Sequence, residues 1–303
     1  MTDTFKDELN RLLTESAKQL AVGGGELPMT GYLPGLDDFS LPAMVARAVG
    51  LLQEFQPEEG YYGCFSGGKD SVAIKELARL AGVKVTWHYS VTTIDPPELV
   101  RFIREKHPDV IWERHGQSFF KTMLERGYPT RRGRWCCEEY KEARSPVGAR
   151  LILGIRGEES KRRAANWKHV TKHTRTRQVA INPILTWRAE HVWGFINSQG
   201  IPYCSLYDEG FDRLGCIGCP MASATNKRKE FDRWPGYERQ WRRAFRLLWH
   251  DRADLGRSGA TNMDWACARL FPDWEALWRW WSTNGHWPTE DEDECQGQLE
   301  MWA

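Results

Sequence analysis

The chain has 303 residues, a formal net charge of +1 at pH 7, 27% charged residues and 41% hydrophobic ones, so it can bury a full-sized core. No uninterrupted apolar run approaches the roughly 20 residues a bilayer span needs, which excludes a helical membrane protein. The first twenty residues carry Asp3, Asp7, Glu8 and Glu15 among their apolar positions, unlike a signal peptide, so the expected location is the cytoplasm.

Phe5, Leu9, Leu12, Leu13, Ala17 and Leu20 recur at helical spacing and predict an opening amphipathic helix, followed by a Gly/Pro-rich loop over Gly23–Pro34. A second helix is predicted over Leu41–Phe55, then a short apolar strand, Tyr61–Phe65. From there strands and helices alternate: helix Ser71–Leu80, strand Lys84–Tyr89, helix Pro97–Lys106, strand Asp109–Glu113, helix Ser118–Glu125. Strand Arg150–Ile155 and helix Ala189–Ser198 continue the pattern, which predicts an α/β fold with a mostly parallel sheet and crossover helices. Beyond Pro220 the sequence is rich in helix formers, charges and Trp. The predicted organisation is an N-terminal helical segment (1–58), a nucleotide-binding α/β domain (59–222) and a helical, Trp-rich subdomain (223–303). Sixteen tryptophans, with a run at Trp274, Trp278, Trp280, Trp281 and Trp287, predict a packed aromatic core in the last part. The tail Glu290–Glu294 is acidic enough to be disordered.

Ser66-Gly67-Gly68-Lys69-Asp70-Ser71 ends a predicted strand and opens a predicted helix, where backbone N–H groups and the helix dipole favour an anion. Gly67 and Gly68 allow positive φ and close approach to phosphate oxygens, Lys69 adds mobile positive charge, and Ser66 and Ser71 add hydroxyl donors. Asp70 is a candidate for holding Mg²⁺. The spacing is not that of the Walker loop, and a glycine turn ahead of a helix is also a common structural device.

Eight cysteines without a secretion signal point to metal or redox chemistry more than to disulfides. Cys136 and Cys137 are adjacent; Cys216 and Cys219 follow roughly 80 residues later. Four thiolates suit a tetrahedral zinc ion or a [4Fe–4S] cluster. Adjacent side chains chelate one ion only with strain but can reach two irons of one cluster, which favours the cluster. Cys64, Cys204 and Cys267 read as core residues.

The loop string resembles the pyrophosphate loop of the adenine-nucleotide α-hydrolase group, whose fold is Rossmann-like and whose members cleave ATP between the α and β phosphates or bind adenylated sulfate. The resemblance implies that Ser66, Gly67, Gly68, Lys69, Asp70 and Ser71 grip the phosphates of an adenine nucleotide and that Tyr89–Thr92 border the adenine. Cys136-Cys137-Glu138-Glu139-Tyr140-Lys141 and Gly215-Cys216-Ile217-Gly218-Cys219-Pro220 resemble elements of cluster-bearing adenylyl-sulfate reductases and of the ATP pyrophosphatases of DNA phosphorothioation systems. Gly154, Arg156, Glu159 and Ser160 match a further family element, in which the arginine meets phosphate or sulfate. Asn182-Pro183-Ile184, His191-Val192-Trp193, Ile201-Pro202-Tyr203 and Leu206-Tyr207 resemble the segment leading to the second cysteine pair. The likeness covers about Tyr61–Met221 and implies a PAPS-reductase-like domain whose catalytic residues are Lys69, Asp70 and Arg156.

Two activities share this chemistry. An ATP pyrophosphatase would adenylate a substrate oxygen and let a sulfur nucleophile displace AMP, with Mg²⁺ and loop donors stabilising charge. A reductase would instead attack the sulfur of adenylyl sulfate with a cysteine thiolate outside the cluster. The one candidate, Cys295, sits among Asp291–Glu294, which disfavours a thiolate, and lacks the family's following glycine and histidine. Together with Lys69 this ranks the pyrophosphatase first. Lys161, Arg162, Arg163, Lys168, Lys172, Arg175 and Arg177 form a run without acidic residues, and Arg131, Arg132, Arg134 and Lys227–Lys229 add charge near the cysteines. They favour DNA as sulfur acceptor, with tRNA as the alternative and a cysteine desulfurase as the implied sulfur donor. A nucleotide-binding regulator or structural zinc protein is the non-enzymatic alternative; oligomeric state is left open.

Overall fold

The structure, a computed structural model, describes residues 7–12, 14, 40–142, 145–174, 176–257 and 270–285. The loop expected at Gly23–Pro34, Cys267, Trp287 and the acidic tail with Cys295 lie outside the described residues. Two compact units emerge: the first comprises Met1–Ser90, Pro97–Glu113 and Arg144–Leu214, the second Val91–Pro96, Arg114–Ala143 and Gly215–Ala303.

In the first unit, residues 7–12 are helical (α1), as the opening periodicity predicts, and Leu12 is buried with Ala43 and Ala46. The next helix, α2 (Leu41–Glu54), starts where Ser40 accepts from the Ala43 amide and Pro42 falls in the first turn. Ten of its fourteen residues are buried, so it is a core element. Then follow β1 (Tyr61–Cys64), α3 (Lys69–Ala81), β2 (Val85–Val91), α4 (Pro97–Lys106) and β3 (Ile111–Arg114). Later come β4 (Arg150–Ile152), α7 (Lys161–Asn166), β5 (Val170–Lys172), β6 (Val179–Ile181) and α8 (Ala189–Gln199), with 3-10 turns at Gly157–Glu159 and Ser205–Tyr207. The six strands form one sheet in the order β3-β2-β1-β4-β6-β5. β1 pairs in parallel with β2 and β4, β4 in parallel with β6, and only the edge pair β5–β6 is recorded as antiparallel. This is the expected mostly parallel, Rossmann-like α/β sheet.

Two details depart from the sequence reading. The strand expected over Arg150–Ile155 pairs only to Ile152, because the chain beyond it peels off to bring Gly154 against the Asp70 backbone. The basic stretch expected as one charged run contains helix α7 and strand β5, which pairs with β6 just beyond the run; three residues per strand are too few to show a period.

The second unit contains α5 (Phe119–Arg126), α6 (Trp135–Tyr140), α9 (Ala224–Arg233), α10 (Pro235–Arg257) and α11 (Trp274–Thr283). Its core is the expected aromatic one. Trp241, Trp278 and Trp281 are buried with Phe231 and Phe245, and the rings of Trp241 and Trp281 lie 4.6 Å apart. Each buried indole N–H of the central pair finds a carbonyl, Trp241 at Ile217 (3.0 Å) and Trp281 at Pro129 (2.7 Å). Among the described residues no helix is long and apolar enough to cross a membrane.

Candidate functional site

The strand order reverses at β1: β2 lies on one side of it and β4 on the other. In open α/β sheets ligands bind beyond the carboxyl ends of the strands at such a switch point. The loops after β1 and β4 supply the predicted phosphate-loop residues and Arg156, respectively.

Gly67 has φ +73°, and a Cβ there would sit 2.7 Å from side-chain carbons of Leu99 and Ile103, so only glycine fits. Gly68 is the N-cap of α3 and offers no side chain to its first-turn amides. Hydroxyl oxygens serve instead: Ser66 Oγ accepts from the Gly68 amide (3.4 Å) and Tyr207 Oη from the Lys69 amide (2.8 Å). Ser71 donates to the Gly68 carbonyl at 2.8 Å, and Ser66 Oγ lies 3.3 Å from Ser71 Oγ. The loop is thereby held in shape by its own two serines.

Lys69 and Arg156 are each only 5% exposed, and their charges converge on Asp70. Lys69 Nζ reaches Asp70 Oδ2 at 3.3 Å and the Asp212 carbonyl at 3.3 Å; Arg156 Nε reaches Asp70 Oδ1 at 2.7 Å. Arg156 also binds Glu158, which accepts from the Ala189 amide at the start of α8. That amide, followed by the Arg156 guanidinium, holds the Glu158 carboxyl below its usual range. Both Asp70 oxygens are therefore engaged by cations. The structure brings together all the predicted loop residues and Arg156; Tyr207, Asp212 and Glu158 are the partners that sequence reasoning did not assign a role.

The four predicted metal-site cysteines lie in the second unit and line one small cavity with Thr92, Ile94, Phe119, Tyr140, Lys141 and Pro220. Cys136 and Cys137 project from α6, where neighbouring side chains diverge by roughly 100°. Cys216 and Cys219 are the ends of a tight turn: the Cys219 amide donates to the Cys216 carbonyl at 3.2 Å, and Gly218 has φ +73°. The turn is fixed from three directions. The Ile217 amide donates to the Ile94 carbonyl (2.8 Å), the Ile217 carbonyl accepts from Trp241, and the Gly218 amide donates to Glu230 (2.7 Å).

Within the adjacent pair one proton is released more readily, because the other thiol hydrogen-bonds the thiolate and Lys141 and Arg134 stabilise it; the second is retained. Burial pushes Cys216 up to about 12, with Lys141 opposing. Lys141 lines the same cavity, and the negative charge of Cys216, then of Asp95 and Cys137, holds its ammonium charged above the usual range. Thr92, expected near adenine, lines the cavity of the four cysteines. Among the described residues no three His, Cys, Asp or Glu side chains converge as ligands of a single metal ion. Cys204 is buried, and burial pushes the Cys64 thiol up to about 12.

The basic segments divide. Lys161, Arg162, Lys168, Lys172 and Arg177 are exposed, Arg163 pairs with Glu159, and Arg175 lies outside the described residues. Lys227, expected with Lys229 on a basic surface, is 1% exposed and donates to the Trp281 carbonyl (2.8 Å) and Asn284 Oδ1 (2.7 Å). Its helical position faces the aromatic core, so it contributes no surface charge.

Residues 61–222 match the phosphoadenosine phosphosulfate reductase domain. The uncharacterized protein MJ0066 of Methanocaldococcus jannaschii is 28% identical over 229 residues, 71% of this chain and 45% of that protein. The adenosine 5'-phosphosulfate reductase of Allochromatium vinosum is 25% identical over 227 residues, 66% of this chain and 84% of that enzyme. The chain spans about half the length of the first curated relatives it matches. A phosphoadenylyl-sulfate reductase structure from Candida auris, a phosphate complex, aligns over 64% of this chain and 98% of that one, at 16% identity and a TM-score of 0.45. The domain match takes in the phosphate loop, Arg156 and both cysteine pairs and covers more than half of the sequence, and on that ground the chain belongs to the phosphoadenosine phosphosulfate reductase domain family.

Proposed function

We propose that this chain is an ATP pyrophosphatase that activates a substrate oxygen for replacement by sulfur, with a DNA backbone phosphate as the acceptor. The observation that carries this reading is Lys69: a buried ammonium beside the glycine turn at the N-terminus of α3, where an anion with several phosphates needs a cation. The substrate oxygen attacks the α-phosphorus, pyrophosphate leaves, and a sulfur nucleophile then displaces AMP. The loop amides and Lys69 hold the leaving pyrophosphate, and Arg156 stabilises charge on the transferring group. Since both Asp70 oxygens are engaged by cations, we assign Asp70 to orienting Lys69 and Arg156.

Cys136, Cys137, Cys216 and Cys219 would hold a [4Fe–4S] cluster, which supplies thiolate-bound iron for electron or sulfur chemistry. Two thiols diverging on a helix and two at the ends of a turn, around one cavity, suit several iron atoms better than one zinc ion. Exposed Lys161, Arg162, Lys168, Lys172 and Arg177 support a nucleic-acid acceptor, and a cysteine desulfurase is the sulfur donor this reading requires.

A second reading, reduction of adenylyl sulfate, is favoured by the similarity to adenosine 5'-phosphosulfate reductases. Its candidate thiol, Cys295, lies outside the described residues. Anaerobically purified protein, assayed in parallel for pyrophosphate release from ATP with DNA and for thiol-dependent sulfite release from adenylyl sulfate, separates the two. Pyrophosphate release lost in Lys69→Ala supports the first reading. Sulfite release lost in Cys295→Ala replaces it with the second.

A further inference from the structure

The 3-10 turn Ser205–Tyr207 and the chain to Asp212 use the same loop groups that a phosphate would use. Lys69 is the first residue of α3, so its amide has no acceptor within the helix, and Gly68 supplies no cap. That amide donates to Tyr207 Oη at 2.8 Å, while Lys69 Nζ donates to the Asp212 carbonyl at 3.3 Å. The ammonium also lies 5.7 Å from the centre of the Tyr207 ring. The hydroxyl oxygen is 3.4 Å from where a Cβ of Gly68 would be, directly over the glycine turn. Two neighbouring rings, Trp193 at 5.0 Å and Tyr203 at 6.4 Å, hold the tyrosine in place.

A phenol is a neutral acceptor, and burial keeps this one protonated. A phosphate oxygen is charged, and a charge-assisted bond to the same N–H is roughly twice as strong. The exchange therefore runs towards phosphate, at the cost of breaking the tyrosine bond.

We propose that Tyr207 is a latch on the phosphate loop: its hydroxyl occupies the Lys69 amide until a nucleotide phosphate displaces it, freeing Ser205–Asp212 from the loop. This rests on the phosphate-loop reading above and adds a regulatory element to it. The latch lowers affinity for pyrophosphate and ATP and couples nucleotide binding to movement of the segment.

Calorimetric titration of the full chain with inorganic pyrophosphate tests it in wild type, Tyr207→Phe and Lys69→Ala. Phenylalanine keeps the ring contacts and removes only the acceptor, so pyrophosphate should bind about 3- to 10-fold more tightly, as expected for one lost neutral hydrogen bond. Unchanged or weaker binding in Tyr207→Phe, with wild type binding, overturns the latch and leaves the loop reading standing. No binding to any of the three proteins, or undiminished binding in Lys69→Ala, overturns the loop reading and the latch together. Hydrogen exchange gives a second measurement: pyrophosphate should speed amide exchange across 205–212 in wild type, and slowed exchange there overturns the latch.

Discussion

Gly218→Ala should be among the most damaging single-methyl changes in the protein. Gly218 has φ +73°, and an added Cβ would lie 2.6 Å from Trp241 Nε1, 2.9 Å from its Cε2 and 3.0 Å from Phe231 Cζ. Trp241 is fully buried, and its N–H is bonded to the Ile217 carbonyl at 3.0 Å, so the ring has nowhere to retreat without losing that bond. A left-handed conformation costs a non-glycine residue roughly 1–2 kcal/mol. Overpacking a closed core adds about 1–3 kcal/mol. The sum, about 2–5 kcal/mol, is a large part of the ~5–15 kcal/mol typical of a folded protein. Gly82→Ala is the matched control: Gly82 also has positive φ, +65°, but nothing lies within 4 Å of its Cβ position, so only the conformational cost applies. Urea unfolding followed by tryptophan fluorescence reads both differences. The same turn carries Cys216 and Cys219, so if those thiols hold the proposed cluster, iron content should fall with stability in the Gly218 variant alone. A Gly218→Ala loss no larger than that of Gly82→Ala would refute the steric argument and with it the claim that Trp241 sets the shape of the turn.

If the four cysteines hold the proposed cluster, serine at Cys137 or Cys219 should abolish the brown colour and most of the iron, whereas serine at Cys64 or Cys204 should leave the iron content unchanged; iron loss in all four would point to general unfolding. Asp70→Asn leaves buried Lys69 and Arg156 with one less negative partner, so stability should drop by about 1–3 kcal/mol and pyrophosphate release at least tenfold; activity within twofold of wild type would show that Asp70 orients neither cation. His107 gives a pH prediction. Burial, then Lys75, pushes its pKa down to about 4, and Nδ1 already faces the Lys75 ammonium at 3.3 Å. Because the folded value lies below the unfolded one near 6.5, the neutral ring's stabilisation is complete above that pH and is lost as pH falls towards 4, by roughly 1–3 kcal/mol. The unfolding midpoint should therefore drop across that window in wild type and less steeply in His107→Gln; equal slopes would assign the loss to other groups.

The parts of the site legible in the sequence are those whose chemistry is contiguous. The glycine turn, its lysine and its serines declare themselves because a strand end and a helix start flank them, and the parallel sheet follows from the alternation that places them there. Lys141 was within reach too: it is four residues after Cys137 at the end of a short helix, the spacing that sets two side chains on one face. Helix α6 itself is not legible in the sequence, because six residues are too few to show a period. Tyr207 and Asp212 could not be assigned this way. Tyr207 meets Lys69 across 138 residues of chain, and Asp212 contributes a backbone carbonyl, which any residue carries.

The basic run shows how composition can carry two meanings at once. Lys172 stands on β5, the edge strand of the sheet, where lysine also serves to block pairing with a second sheet. Lys227 spends its charge inside the aromatic core. Charge count alone therefore overstates the surface available to a polyanion, and what supports a nucleic-acid acceptor is the subset that is exposed on α7 and the hairpin after it: Lys161, Arg162, Lys168, Lys172 and Arg177. If those five residues track a phosphate backbone, DNA binding weakens steeply with salt, and neutralising two of them flattens that slope while ATP affinity stays the same. If they only protect an edge, the same substitutions leave DNA binding untouched and lower solubility, because the strand has lost the charges that kept it unpaired.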